Sequence, residues 1–388
     1  MQAADVGQKA RMVSRMDLGD AIMRRSTKRL TLIFSALSAI ILAGCGTTTQ
    51  GALGATNKAV NSPSKSSTTV APTSVTSSTT TTTAAPSHLL SGTLDAPLPV
   101  PAPLAPFGDP AVVGQGVWTP AGRLVDGIPA VYEAKLVPPG GTEPAGIAWM
   151  DTGLLSARLY SGSRSPGGGP YHYTAPVQPV DATSLVAAFN GGFIMNVAHG
   201  GYYTEGRVVD PLVNGAASLV IYSDGSVNVG AWGSDVAMTP SVVSVRQNLV
   251  PLVSGGQPTA QAASADWQAW GATCGANSCV GPGIENQWRS GVGITANGAL
   301  VYVTGPSLDP LQLAQLLVRS GAIRGMQLDI NPYWTVLVTY SPSTSGGAAA
   351  PSNGSKLLPG TVQGPQTFFE SWWARDFITM SARPVPAG

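Results

Sequence analysis

The chain has 388 residues, of which 43% are hydrophobic and only 11% are charged, and its formal net charge is +1 at pH 7. That length fits one large domain or two ordinary ones and supplies a sizeable core. Seven of the 21 basic residues lie in residues 1–44, so the remainder is slightly acidic and carries no basic patch typical of nucleic-acid binding.

The N-terminal segment has the pattern of a secretory signal. Four basic residues between Arg24 and Arg29 precede an apolar run from Leu30 to Ala43, which ends in Leu42-Ala43-Gly44-Cys45. The run is too short for a comfortable transmembrane helix, and its end resembles a bacterial lipobox. We predict a lipoprotein signal peptide over 1–44 and acylation of Cys45, including palmitate, on the extracytoplasmic face of the cell membrane. The alternative is an uncleaved anchor with an incidental cysteine.

Residues 45–105 are mostly Ser, Thr, Ala and Pro, with the run "TSSTTTTTAAPS" near their centre. Such a composition buries too little apolar surface to offset its chain entropy. We therefore predict a disordered stalk over 45–105 and one folded domain over 106–388.

Within the domain, apolar runs separated by turn residues predict three β-hairpins. The turns are Asp151–Gly153, Asp224-Gly225 and Asn297-Gly298, and the last two pairs supply the positive φ that tight hairpins need. One helix is predicted over 309–320, between strands at 299–304 and 324–330, as a β-α-β crossover. The predicted fold class is α+β: a β-rich mixed sheet with hairpins and one crossover.

Cys274 and Cys279 are the other two cysteines of the chain. In an exported protein such a pair predicts a disulfide, here around a very small loop. The spacing differs from the Cys-x-x-Cys of a redox pair, and two cysteines are too few for a structural zinc site.

The stretch "GMQLDINPYW" (325–334) places a carboxylate at the end of a strand. Alternation predicts Met326, Leu328 and Ile330 on one packed face, with Asp329 on the opposite, polar face. A buried carboxylate needs a partner, so Asp329 faces polar groups, solvent or a ligand. The competing interpretation is a carboxylate that caps the turn at Asn331.

Two further stretches carry candidate site residues. Asn190-Gly191-Gly192 follows an apolar strand, where glycines allow close backbone approach or an anion cradle, and a plain tight turn is the alternative. Arg289 begins a strand, where a guanidinium suits a phosphate or carboxylate, against an ordinary ion pair. His199 lies in a glycine-rich loop, where histidine is more often a surface residue than a catalyst.

Six stretches in one order resemble the phosphodiester glycosidase family, over roughly residues 180–340. They are "NGGF" (190–193), "SLVIYSDGSV" (218–227), "RQNLVPLVSGG" (246–256), "RSGVGIT" (289–295), "LDPLQLAQLLVRSGA" (308–322) and "LD" (328–329), with "FESWWARDF" as a closing element. In the family this aspartate begins the motif Asp-Gly-Gly-x-Ser. Here Asp329 is followed by Ile330-Asn331-Pro332-Tyr333-Trp334 instead. Pro332 removes a backbone donor, and the two aromatic residues could instead stack on a sugar.

The resemblance implies hydrolysis of a sugar-1-phosphodiester in a cell-envelope glycan. It implies that Asp329, Arg289 and Asn190 are catalytic. The substrate would be bound by Gly191, Gly192, Asn331, Tyr333, Trp334 and His199. No cofactor or metal ligand set is expected, although a divalent cation stays compatible with the sequence. The alternative function is non-catalytic binding of an envelope glycan on the same fold.

Overall fold

The computed structural model describes residues 96–108, 114–264, 270 and 286–384, together with the backbone of 273–274 and 279–280. The predicted signal peptide, the acylation site Cys45 and most of the predicted stalk lie outside the described residues. Among the residues that are described, no helix combines the length and apolarity needed to span a membrane.

Strands dominate the described part of the chain. They are β1 Thr119–Val125, β2 Ile128–Leu136, β3 Ala145–Met150, β4 Leu155–Tyr160, β5 Leu185–Asn190, β6 Tyr202–Thr204, β7 Arg207–Asp210, β8 Ala217–Tyr222, β9 Val227–Ala231, β10 Val242–Gln247, β11 Pro251–Ser254, β12 Gln257–Pro258, β13 Thr273–Cys274, β14 Cys279–Val280, β15 Gln287–Thr295, β16 Leu300–Leu308, β17 Ala322–Ile330, β18 Leu337–Tyr340, β19 Gly354–Lys356 and β20 Phe377–Ala382. The described α-helices are α1 Pro179–Ala182, α2 Met195–Ala198 and α3 Pro310–Arg319, and 3-10 turns occur at Ala260–Ala263, Pro351–Asn353 and Thr367–Phe369.

The strands assemble into three larger sheets. The large sheet has the order β1-β2-β3-β16-β15-β17-β11-β12, the second sheet β7-β6-β10-β8-β9 and the third sheet β19-β18-β5-β20-β4. All ladders between these strands are antiparallel. The described chain is therefore mostly antiparallel β, and the predicted α+β class is wrong.

The helix α3 is confirmed, but the predicted crossover is not. Asp309 caps the helix by accepting from the Gln312 backbone N–H, and the Gln312 side chain accepts from the Asp309 N–H in return, which is a capping box. The flanking strands β16 and β17 do not pair, because β15 lies between them and is antiparallel to both. The hairpin turn at Asn297-Gly298 connects β15 to β16, and β15 takes the place beside β16 that a directly paired parallel strand would have.

Two of the three predicted hairpins are confirmed and one is wrong. β8 pairs with β9 around Asp224-Gly225, and β15 pairs with β16 around Asn297-Gly298. The strands on either side of Asp151–Gly153 belong instead to different sheets. The Asp151 carboxylate is buried and accepts the backbone N–H groups of Gly153, Leu154 and Leu98. This residue thus anchors a passage between sheets rather than a hairpin turn.

Buried side chains form two main cores. The first core takes residues from all three sheets, such as Val292, Leu219 and Phe189. The second core lies where α3 packs on the large sheet and includes Leu313 and Leu317. Complete burial of one such leucine is worth roughly 1.5–3 kcal/mol, so the helix is held mainly by its apolar face.

Part of the predicted stalk contacts the domain. The Leu98 N–H donates to Asp151 Oδ2 (2.8 Å), and the Leu104 N–H donates to the Gly116 carbonyl (2.8 Å). Leu104 is buried in the second core. Leu98 and Leu104 thus contact the domain although they precede the boundary at 106 that composition predicts.

The backbone of Cys274 lies opposite that of Cys279 in the small β13–β14 ribbon. The two side chains fall outside the described residues, so the disulfide stays a prediction.

Candidate active site

A β-bulge changes the orientation of side chains around Asp329. Ser290 of β15 lies opposite two residues of β17, Leu328 and Asp329, because the register skips one residue there. Such an insertion breaks the alternation of a strand. Met326 and Leu328 belong to the first core, whereas Ile330 packs against the second core. The prediction of one shared apolar face is therefore wrong at Ile330.

The Asp329 carboxylate is almost enclosed, with 4% of the residue exposed. Its Oδ1 accepts from the Ile330 N–H (2.8 Å), and its Oδ2 accepts from the Arg375 guanidinium. Burial raises the pKa of Asp329 to about 6, although Arg375 and the Ile330 N–H both oppose that rise. A carboxyl with such a pKa exchanges its proton close to neutral pH, as a general acid or base requires.

Arg375 connects Asp329 to the surface. Its side chain is 12% exposed, and its NH2 group also donates to the Gly192 carbonyl (3.2 Å). The guanidinium carbon lies 4.6 Å from the ring centroid of Trp334. Its Nε is buried and has no acceptor among the described residues. Since a guanidinium has five N–H donors, Arg375 retains donors that the described residues do not use.

An aromatic cluster begins at Trp334, the ring that contacts this arginine. Trp334 and Trp372 both contact the buried Trp373, with ring centroids 5.5 Å and 5.7 Å away, and Tyr333 lies 6.5 Å from Trp334. Tyr333 is 55% exposed and Trp372 is 41% exposed. We call Tyr333, Trp334 and Trp372 the aromatic rim. Exposed rings next to a charged pair are typical of a binding surface.

A second Arg–Asp pair lies behind the first one. Arg246 Nε donates to Asp376 Oδ2 (2.8 Å) and its NH2 donates to Asp376 Oδ1 (3.2 Å), with both side chains completely buried. The remaining contacts of Arg246 run to the carbonyls of Gln247 and Phe193 and to the Tyr202 ring. Asp376 raises the pKa of Arg246 despite its burial. The pair is sealed from solvent and therefore structural.

Asn190 is part of the same buried network. Its Nδ2 donates to Ser290 Oγ (3.0 Å) and to the Gly191 carbonyl (2.8 Å), and its Oδ1 accepts from Tyr302 OH (2.7 Å) and the Val336 N–H (3.0 Å). These four bonds use the whole capacity of the amide. Ser290 in turn donates to the Asp329 carbonyl (2.9 Å). Asn190 thus supports the backbone at Asp329.

Close packing explains the two glycines after Asn190. A Cβ on Gly191 would lie 1.9 Å from Asp376 Oδ2, and a Cβ on Gly192 would lie 2.7 Å from Asn248 Oδ1. The Gly191 N–H donates to the Asp376 carbonyl (2.9 Å). Neither glycine has a positive φ. Of the two uses that the sequence allowed, the structure shows close approach of backbone to polar side chains.

Arg289 is not brought to this cluster. Its Nε donates to the Leu308 carbonyl (2.7 Å), and its NH1 donates to Gln327 Oε1 (3.1 Å) and the Trp270 carbonyl. Leu308 and Trp270 belong to the second core, whereas Ser290 contacts the Asp329 side. Neighbouring residues of a strand point to opposite faces. Arg289 therefore serves the face beneath α3, where it is fully buried.

His199 and Asn331 occupy left-handed turn positions. His199 ends α2 with φ of 50° and is exposed. Asn331 has φ of 63°, and its Oδ1 accepts from the Tyr333 N–H (2.9 Å). Asn331 and Pro332 also line a cleft of about 610 Å³. It is Asn331, and not Asp329, whose side chain caps this turn.

Sequence analysis missed Arg375, Asp376 and Arg246 as site residues. Each lies inside a stretch that carries the family resemblance, "FESWWARDF" or "RQNLVPLVSGG". Adjacent opposite charges at Arg375-Asp376, in a charge-poor aromatic segment, were the available signal. No group of three potential metal ligands occurs among the described residues.

Comparison with known proteins gives distant structural likenesses only. No protein-family model and no curated protein matches the sequence. One similar structure is the zebrafish N-acetylglucosamine-1-phosphodiester alpha-N-acetylglucosaminidase catalytic domain, auto-inhibited by its pro-peptide, with 15% identity, a TM-score of 0.41, and coverage of 69% of this chain and 88% of that one. A hypothetical protein from Synechocystis has 10% identity, a TM-score of 0.32, and coverage of 68% and 64% respectively. These likenesses are too distant to assign a function, so the chemistry of the site has to carry that step.

Proposed function

We propose that the chain is a glycosidase-type hydrolase that cleaves a sugar-1-phosphodiester. Arg375 binds the phosphate, and Asp329 acts as the general acid. One observation carries the proposal. A partly exposed guanidinium with unused N–H donors pairs with a carboxyl whose pKa is raised to about 6. Perturbed carboxyls with a specific charge partner are common at catalytic sites.

The two halves of such a substrate match the two parts of the site. A phosphodiester is an anion, and arginine binds phosphate oxygens through charge-assisted hydrogen bonds. The aromatic rim offers the exposed rings of Tyr333 and Trp372, against which the carbon face of a sugar packs. Arg375 and the rim are in direct contact through Trp334.

Binding of the anion would also prepare Asp329 for its role. A phosphate at Arg375 competes with the Asp329 carboxylate for the same positive charge and adds a negative one. Both effects raise the pKa of Asp329 further, so the carboxyl holds its proton. It then donates that proton to the leaving phosphate oxygen as the bond from that oxygen to sugar C1 breaks. Water adds its hydroxyl to C1, and its remaining proton returns to Asp329.

In this proposal the other predicted catalytic residues have supporting roles. Asn190 holds Ser290, which holds the backbone of Asp329. Arg289 stabilises the opposite face of the sheet. Gly191 and Gly192 were expected to donate backbone N–H groups to the phosphate. In this proposal the guanidinium N–H groups of Arg375 do so instead.

The reaction is tested with purified full-length protein and a sugar-1-phosphodiester in water labelled with heavy oxygen. Glycosidic cleavage places the label in the released sugar, whereas attack at phosphorus places it in the phosphate. Label in the sugar, at a rate that depends on Asp329, supports the proposal. Label in the phosphate contradicts the bond cleavage, and absence of turnover across sugar phosphodiesters contradicts the enzyme.

The alternative is a non-catalytic glycan-binding protein on the same fold. It is favoured by the aromatic rim, and by the fact that Arg375 and the Ile330 N–H already hold the Asp329 carboxylate. In that case a glycan protects the protein against heating without turnover. Trp372→Ala would remove this protection, and Asp329→Asn would leave it intact.

The cellular setting is also a proposal, because it depends on residues outside the described part. We propose an exported lipoprotein tethered through Cys45, acting on an envelope glycan. Fractionation of cells that express Cys45→Ser tests it. Loss of the protein from the membrane fraction supports the anchor, and normal retention contradicts it.

A further inference from the structure

A third buried arginine, Arg123, has no acid partner among the described residues. Arg123 of β1 is 9% exposed and donates to the carbonyls of Thr183 and Gly347. Its Nε is buried and has no acceptor among the described residues. None of the ion pairs found in the described part of the chain involves Arg123. Two carbonyls use only two of its five N–H donors.

Arg246 is a buried arginine that does have an acid partner, and it gives a comparison within the molecule. Arg246 is also buried, but Asp376 neutralises it and raises its pKa. Burial without a carboxylate instead lowers the pKa of Arg123. Burying a charge without a counter-ion costs folding free energy, unless a bound ligand provides the opposite charge.

Arg123 is one of the residues that line a cleft of about 800 Å³. The charged residues that line the cleft are Arg123, Arg383 and Asp126. Arg383 donates to the carbonyls of Thr152 (3.0 Å) and Asp224 (2.6 Å). The lining therefore carries two positive charges and one negative charge.

Three consecutive residues with hydroxyl side chains belong to the lining of the cleft. Ser343, Thr344 and Ser345 are exposed lining residues, and they belong to the loop whose Gly347 carbonyl contacts Arg123. Hydroxyls donate to phosphate oxygens as readily as they accept. Arg123 and the three hydroxyl residues thus line the same cleft, and the loop that carries these residues also holds the Arg123 guanidinium through the Gly347 carbonyl.

We propose that this cleft is a second ligand site, which binds the phosphate group of an anionic ligand with Arg123 as its counter-ion. It is independent of the catalytic proposal, because its lining residues do not include Asp329, Arg375 or the aromatic rim. A free phosphate ion and a phosphate ester share the chemistry that the cleft recognises. Purely structural clamping by Arg123, which ties β1 to two loops, predicts no ligand.

The test uses full-length protein carrying Arg375→Gln, so that phosphate binding at the proposed active site does not contribute. The midpoint of thermal unfolding is measured against inorganic phosphate and against glycerol phosphate, each compared with chloride at equal ionic strength. We expect a saturable rise with both phosphates and none with chloride. A stronger response to glycerol phosphate identifies the ester as the preferred source.

Three substitutions in that background locate the site. Arg123→Gln should abolish the rise, and Asp126→Asn should tighten phosphate binding several-fold by removing the only acid in the cleft lining. Arg207→Gln is the matched control, because Arg207 stacks on Tyr171 outside the cleft, and it should change nothing. If Arg123→Gln does not fold, Asp126→Asn decides. A response equal to that of chloride, or one that Asp126→Asn leaves unchanged, overturns the proposal.

Discussion

Two neighbouring Arg–Asp pairs in this protein have the same residue types but differ in their exposure to solvent. Arg375 and Asp376 are consecutive, yet Arg375 pairs with Asp329 and Asp376 pairs with Arg246. Arg375 lies in a bend of the chain just before β20, so the two consecutive side chains reach different partners. One pair is therefore sealed in the interior, and the other reaches the surface.

The pairs also differ in how many hydrogen-bond donors of the arginine remain unused and in whether the carboxyl titrates near neutral pH. The sealed pair has bidentate geometry, and both side chains are completely buried. The Arg375–Asp329 pair, which we call the open pair, retains donors on Arg375 that no described residue uses. Its carboxyl has a pKa of about 6. An ion pair in itself thus indicates no function. Solvent access, unused donors and a carboxyl close to its titration point distinguish a reactive pair from a structural one.

Breaking the sealed pair should give the largest effect on stability. Asp376→Asn leaves the Arg246 charge buried without its partner, which costs about 3–5 kcal/mol of the free energy of unfolding. Denaturant unfolding measures this loss. Asp329→Asn is the matched control and should cost well below half as much. Equal losses in the two variants would remove the distinction between the pairs.

Removing the partly exposed cation of Arg375 should affect binding more than folding. Arg375→Gln deletes charge-assisted hydrogen bonds worth about 1.5–3 kcal/mol. We therefore expect KM for a sugar phosphodiester to rise by roughly ten-fold to more than a hundred-fold. Arg158→Gln, at an exposed ion pair with Asp181, serves as the control. An unchanged KM in Arg375→Gln would rule out this arginine as the phosphate-binding group.

The raised pKa of Asp329 predicts a pH dependence of stability. The folded protein holds this proton more tightly than the unfolded chain, so the contribution of the group is complete below the ordinary pKa of 3.8 and is lost as pH rises through about 6. The stability of the wild type relative to Asp329→Asn should fall by on the order of 1–3 kcal/mol across that window. Unfolding of both proteins at several pH values measures it. A difference that grows with pH would mean that Asp329 has a depressed pKa.

Local rules predicted local structure well. The capping residue Asp309 marked α3, and Asp-Gly and Asn-Gly marked two hairpins. They failed where a partner distant in sequence decides the structure. The turn signal at Asp151–Gly153 did not reveal that its flanking strands join different sheets, and the helix pattern did not reveal that β15 lies between the strands that α3 connects.

The candidate site was predicted in part for the same reason. Asp329 and Asn190 lie in one hydrogen-bonded network through Ser290, and their catalytic roles stay predictions. The bulge at Leu328 and Asp329 is invisible to a rule of strict alternation, and a one-residue shift in register changes which face a side chain occupies. Arg375 is 46 residues from Asp329 in sequence, so only the folded chain shows their contact.

The central claim is that the open pair performs chemistry, and the turnover of Asp329→Asn tests it most directly. The rate at which full-length protein releases a phosphomonoester from a sugar-1-phosphodiester is compared between the wild type and this variant, with both confirmed as folded. A lost general acid predicts a fall in kcat of about 100-fold to 10,000-fold. Wild-type turnover in folded Asp329→Asn protein would contradict the account.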